Sequence, residues 1–209
     1  MKTFFLLSVV ALLPVILSVL IYLAERTKAI RKLPYAVRQL LIGVLFGGLA
    51  ILGTEFGIKT DGAIINARDA SPICAGLLFG APAGIIAGLI GGVERWFAVL
   101  WGAGQYTRLA CSISTVLAGV FAAVLRKFMF DNKKPKWYYC LATATITEVI
   151  HMLMIFLTNM TDARTAFSFV RTCSLPMIAV NSLAVMLAGL LLSILSGADR
   201  KSERRDLKK

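Results

Sequence analysis

The sequence predicts an all-α fold, a polytopic transmembrane bundle of about six helices, and three observations carry that prediction. Of 209 residues, 58% are hydrophobic and 16% charged, and the mean hydropathy is +0.78, values far from those of a soluble domain of this size. Six stretches approach the roughly 20 apolar residues that a helix needs to cross a hydrocarbon core about 30 Å thick. None shows the alternation of a membrane barrel, so the backbone must satisfy its hydrogen bonds within helices.

The first span is Phe4 to Leu23. Lys2 precedes it as in a secretory signal, but the run is long and no small-residue cleavage site follows, so it reads as a retained anchor. Residues 1–36 are this anchor and its basic connection. The second span, Val37 to Ile58, carries Gly43, Gly47 and Gly48. The third, Ser71 to Val93, holds Gly76, Gly80, Gly84, Gly88 and Gly92, a spacing of four that places them near one stripe, where small residues let another backbone approach. Pro82 interrupts this helix and predicts a hinge or a broken helix. Ala110 to Phe130, Trp137 to Leu157 and Thr172 to Leu195 complete a membrane region over 37–196, followed by a basic cytoplasmic tail over 197–209. Cys74, Cys111, Cys140 and Cys173 fall in apolar segments without C-x-x-C spacing, which predicts neither a disulfide framework nor a zinc site.

The net charge of +12 is gathered into three clusters. Arg26, Lys28, Arg31, Lys32 and Arg38 follow the first span; Arg126, Lys127, Lys133, Lys134 and Lys136 follow the fourth; Arg200, Lys201, Arg204, Arg205, Lys208 and Lys209 form the tail. Without interleaved aromatics these predict contact with anionic lipid and no nucleic-acid partner. Positive residues mark the cytoplasmic side, yet six simple crossings set the first cluster opposite the other two. Either 24–36 is an exception, or a segment between Thr54 and Tyr106 re-enters the membrane; Trp96 to Gly104 and the stretch around Ala81 and Pro82 are the candidates. The tail is read as cytoplasmic, with the side of the N-terminus left open.

Charged groups deep in a bilayer cost at least about 2.5 kcal/mol, so each calls for a partner or a role. Arg68 precedes the third span and Arg95 follows it; a straight helix would hold them about 40 Å apart. Two readings stand open. A broken helix would bring both guanidiniums into one fork-like receptor for a small anion such as a carboxylate; otherwise Arg68 pairs with Asp69 or Asp61, and Arg95 with Glu94. Asn66 either caps the third helix or donates to a ligand. On the fifth span Glu148 and His151, three apart on one face with Thr143, Thr145 and Thr147, either serve a proton or ligand or bond to each other to hold helices together. No metal-ligand spacing such as H-E-x-x-H is present, so no metal and no cofactor are expected.

Three ordered motifs, Asn66-Ala-Arg68, Gly91-Gly-Val-Glu-Arg95 and Cys111-Ser-Ile-Ser-Thr, resemble the LytS/YhcK-type five-transmembrane receptor region. The resemblance runs from about Val37 to Leu195. It implies a sensor input module for a histidine kinase or diguanylate cyclase of bacterial two-component signalling, with a link in some members to cell-wall and autolysis control. It carries ligand-sensing positions over to Arg68, Arg95, Cys111 and Ser114. Where the family has a glycine pair soon after G-G-x-x-R, this sequence has the longer Trp96 to Gly104, which is expected to reshape the pocket. The sequence ends at Lys209, so a receptor fragment or a stand-alone sensor is expected, working with a kinase or cyclase output domain, as a homodimer, in the plasma membrane.

The leading expectation is therefore a receptor that binds a small ligand between helices and passes a packing change to the cytoplasm. A substrate-binding transport component is the alternative, and a purely structural subunit is a third. An enzyme is disfavoured because no phosphate loop, metal cluster or nucleophile–base set can be read from the sequence, the position of His151 in space being open.

Overall fold

The computed structural model describes residues 2–60, 63–101 and 104–206; Asp61, and the tail residues Lys208 and Lys209, lie outside the described residues. The elements in order are α1 (Lys2–Ala24), a single turn α2 (Lys28–Arg31), α3 (Tyr35–Glu55), the hairpin strands β1 (Ile58–Thr60) and β2 (Ala63–Ile65), and α4 (Ala70–Cys74), extended by a π-helical turn over Ala75–Phe79. There follow α5 (Ala81–Phe97), α6 (Arg108–Val124), α7 (Trp137–Thr158) and α8 (Ala163–Asp206). Among the described residues six helices are long and apolar enough to cross a membrane, as the sequence predicts. Their outward faces are apolar and exposed: Leu12, Ile16 and Leu20 on α1, and Ile146, Val149, Leu153 and Leu157 on α7. On the inward face of α7, Thr143, Thr147, Glu148 and His151 are buried, the arrangement expected where lipid rather than water is the solvent.

The third span departs from the single helix Ser71 to Val93. It breaks at Gly80 into α4 and α5, which fold back on each other, Gly84 packing against the backbone of Gly76. At Gly80 the side chain of Gln39 takes over the missing helix bonds: its Nε2 donates to Phe79 O at 3.2 Å and its Oε1 accepts from Ala83 N at 3.3 Å. The glycine stripe is thereby split. Gly76 lies on the short incoming helix, while Gly84, Gly88 and Gly92 seat α5 against the backbone of α6, at Gly119, Thr115 and Ser112 respectively.

This break resolves the charge conflict. Arg68, just before α4, bonds Thr54 near the end of α3, whereas Phe79 at the far end of α4 bonds Gln39 near the start of α3. The short helix thus supplies an additional traversal, and α5 returns alongside α3, with Gly43 on Ile86 and Gly47 on Ile90. The α1–α3 and α6–α7 connections consequently share one end of the bundle. There Glu25 pairs with Arg38 at 3.7 Å, Lys134 stands 4.5 Å from the Tyr22 ring and 5.5 Å from that of Phe79, and Arg126 donates to Leu77 O. The last part of α8 reaches the same end, Gly189 meeting Cys140 and Trp137 at the start of α7. The first two clusters and the helix leading into the third thus share one end of the bundle, the distribution that the positive-inside rule associates with a cytoplasmic face.

The sixth span also begins earlier than Thr172, at Ala163. At about 1.5 Å per residue the 44-residue α8 is roughly 66 Å long, more than twice the hydrocarbon thickness, so it runs through the membrane and on into the tail.

Candidate functional site

At the end opposite the basic connections, six segments bring polar side chains into the bundle interior. The β1–β2 hairpin, with Ile58 opposite Ile65, delivers the chain to Asn66. The Asn66 side chain shapes the turn that follows: Nδ2 donates to Ile64 O at 2.9 Å, and Oδ1 accepts from Arg68 N at 3.2 Å. Asp69, not Asn66, occupies the N-cap of α4. From α8, Asn181 Oδ1 accepts from Ala70 N at 2.9 Å and its Nδ2 donates to Asn66 O at 3.1 Å, pinning both sides of the turn. Asn181 was not flagged by the sequence; an asparagine inside an apolar span is the signal that could have found it.

Arg68 and Asp69 are fully buried. Every nitrogen of the Arg68 guanidinium has a partner. Nε donates to Thr115 Oγ1 at 2.7 Å and faces Asp69 Oδ1 at 3.4 Å, Nη1 donates to Thr54 Oγ1 at 3.2 Å, and Nη2 donates to Cys111 O at 3.5 Å. Of the two pairings left open for Arg68, the structure thus shows the one with Asp69. Thr115 relays the contact, its hydroxyl donating to Asp69 Oδ1 at 2.7 Å.

The other oxygen of Asp69 faces α7. His151 Nδ1 lies 2.7 Å from Asp69 Oδ2, and His151 Nε2 lies 3.3 Å from Cys111 Sγ. With Nδ1 donating to the carboxylate, Nε2 is left to accept from the thiol. The sequence could not place His151; here it stands in a Cys111–His151–Asp69 line contributed by α6, α7 and the turn before α4. Glu148 is also fully buried, and neither of its oxygens has a hydrogen-bond partner; His151 Nδ1 is 3.9 Å away. Glu148 and His151 are therefore not the mutually bonded pair considered above, because His151 is turned to Asp69. Donor atoms of Asp69, Glu148 and His151 lie within 4.8 Å of one another, close enough to hold a cation, but the Arg68 guanidinium already sits against that carboxylate.

Arg95, on α5, is likewise fully buried. The α4–α5 fold-back brings it into the same region, where its charge acts on Arg68 and on the Cys111 thiol. Its pairing differs from that of Arg68. Nη2 donates to Gly104 O at 2.7 Å and to Thr107 Oγ1 at 3.2 Å, while Nε and Nη1 have no partner. The expected bond to Glu94 is not made, and both Glu94 oxygens are also without hydrogen-bond partners. Gly104 adopts φ 57°, and a Cβ there would collide with the Arg95 guanidinium, so glycine is needed both for the turn and for the room. The stretch from Trp96 onward, whose residues 102 and 103 lie outside the described residues, ends on the oxygen that holds Arg95. Ser114 has an unpartnered hydroxyl and lines a mostly apolar cavity of about 220 Å³ between α6 and α7, with Thr147 and Ile150.

The arrangement thus combines one arginine with a partner on every nitrogen, a second with two unpartnered nitrogens, and a thiol backed by an imidazole. The family model described as "5TMR of 5TMR-LYT" matches residues 7–194. The chain is 25% identical over 199 residues to the sensor histidine kinase YpdA of Escherichia coli (strain K12), covering 95% of this chain and 34% of that protein. It is 27% identical over 152 residues to the sensor histidine kinase BtsS of the same strain, covering 71% of this chain and 26% of that protein. With the sensor protein LytS of Bacillus anthracis it shares 29% identity over 166 residues, 77% of this chain and 26% of that protein. The chain spans about a third or less of the length of these relatives. No solved structure matches.

Proposed function

Because the chain belongs to the 5TMR of 5TMR-LYT family of membrane receptor regions, we propose that it is the sensor module of a bacterial two-component system and binds a small carboxylate beside Arg95. The observation that carries this reading is the pair of unpartnered donors, Nε and Nη1, on a fully buried guanidinium. A buried charge without its hydrogen bonds costs several kcal/mol, and a carboxylate accepting both donors would remove that cost in a bidentate fork. Arg68 serves as the scaffold of the site rather than its hand, since its donors already hold Asp69, Thr54 and Thr115. Cys111 and Ser114 on α6 are the further ligand-sensing positions in this reading, Ser114 by way of its unpartnered hydroxyl.

The ligand joins side chains from α5, α6 and the turn before α4. That turn is bonded to α8 through Asn181, and α8 is one continuous helix from the outer face into the cytoplasmic tail. A change at the ligand therefore has a stiff element on which to act, and it biases the packing of α8 toward one of two states. The output is a kinase or cyclase domain, fused or in a partner chain, working in a homodimer; control of autolysis belongs to the same proposal.

The test is a thermal-shift screen of the purified chain in detergent against small mono- and dicarboxylates, with uptake into sealed vesicles as a second arm. A receptor is stabilised by about 2.7 kcal/mol at 100 times the Kd and takes up nothing. Uptake would assign a transport component instead, and no stabilisation by any carboxylate would remove the ligand reading.

A further inference from the structure

Cys111 differs from the other cysteines in what stands beside it. The chain has four cysteines and one histidine, and the histidine faces Cys111 Sγ at 3.3 Å through Nε2. Its other nitrogen is held at 2.7 Å by Asp69, whose second oxygen is fixed by Thr115 and Arg68. A base adjacent to the thiol, oriented by a third group, is the arrangement that activates a sulfur nucleophile. Arg68 Nη2 also donates to the Cys111 backbone oxygen at 3.5 Å, which keeps a guanidinium beside the same residue. Cys74 and Cys140 are buried in the hydrophobic core, and the histidine faces neither of them.

We propose that Cys111 is a modification site, oxidised by small hydroperoxides to a sulfenic acid, so that the receptor carries a redox input besides its ligand. Burial selects the oxidant: at 4% exposure the sulfur is reached by an uncharged molecule little larger than water, and a bulky electrophile is excluded. His151 Nε2 takes the thiol proton. The thiolate then attacks the nearer oxygen of the hydroperoxide, the O–O bond breaks, and the departing alkoxide or hydroxide takes the proton from His151. The net change is thiol plus hydroperoxide to sulfenic acid plus alcohol or water, with the sulfur oxidised and the peroxide reduced. A sulfenic acid is reversible by thiols, which suits an input signal. The inference rests on the Cys111–His151–Asp69 geometry and stands whether or not a carboxylate binds at Arg95.

The experiment is a hydrogen peroxide pulse on the purified full chain. It is quenched with catalase, followed by alkylation of the remaining thiols in denaturant and peptide mass spectrometry of all four cysteines. Cys111 should lose its alkylation at least ten-fold faster than Cys74, Cys140 or Cys173, and dithiothreitol should restore it. His151→Gln should slow Cys111 to the rate of the others. Equal rates at the four cysteines, or no loss at Cys111, would overturn the assignment without reference to any variant. An unchanged Cys111 rate in folded His151→Gln would remove the role of the imidazole and with it the proposal.

Discussion

His151 and Asp69, 82 positions apart in the chain, meet at 2.7 Å inside the bundle, and through them α7 is tied to the turn that begins α4. The contact sits where the fold-back at Gly80 returns the chain beside its own entry. It therefore reports on the whole arrangement.

Asp69→Asn should be among the most damaging isosteric changes in the protein. It leaves Arg68 without its anion and weakens the hold on His151, both fully buried. Removing one partner of a buried pair costs about 3–5 kcal/mol. Thermal unfolding in detergent should show a large drop; a variant as stable as the wild type would mean that Arg68 is neutralised by another group.

Glu148→Gln should do the opposite. Both carboxylate oxygens of Glu148 lack hydrogen-bond partners in an interior with no exposure, so the neutral isostere removes a desolvation cost and gives up no hydrogen bond, only the 3.9 Å approach to His151 Nδ1. Stability equal to or above that of the wild type is expected in the same assay. A loss as large as that of Asp69→Asn would show that Glu148 is engaged, by a proton or by a cation shared with Asp69 and His151.

The glycines divide by what they touch. A side chain on Gly119 would run into the backbone of Gly84, whereas Gly48 has open space around it. Gly119→Leu should destabilise by at least about 1–3 kcal/mol through overpacking, and Gly48→Leu should leave stability within about 0.5 kcal/mol. Both follow from the same unfolding measurement, and comparable losses would contradict the α5–α6 contact.

Sidedness follows from the short α4. Reporter fusions truncated at Lys32 and Lys133 should report cytoplasm, and a fusion at Gln105 should report the outside. Alkaline phosphatase active at Lys133 but not at Gln105 would invert the molecule, and opposite results at Lys32 and Lys133 would remove the additional traversal.

The six long helices were legible because lipid demands long apolar runs, and Arg68, Arg95, Glu148 and His151 stood out as charges where charge is expensive. Their convergence was not legible. It depends on the helix break, and Pro82, the visible signal, sits two residues past the breaking residue; the helix can break at Gly80 because Gln39, on another helix, is there to bond Phe79 O and Ala83 N. Spacing alone likewise set Glu148 with His151, whereas the tertiary fold turns the imidazole to Asp69 and Cys111. Asn181 and Thr115 went unmarked because single small polar residues in an apolar span are common and their partners lie on other helices.

The most direct measurement compares Arg95→Gln with wild type in calorimetric titration against whichever small carboxylate stabilises the wild-type chain in detergent. Arg95 gives only one side of its guanidinium to Gly104 and Thr107, so the variant should stay folded. The account predicts that binding falls by at least 100-fold while the ligand-free unfolding temperature changes little. Binding retained within a few-fold in Arg95→Gln would contradict the assignment of the free guanidinium edge as the carboxylate site.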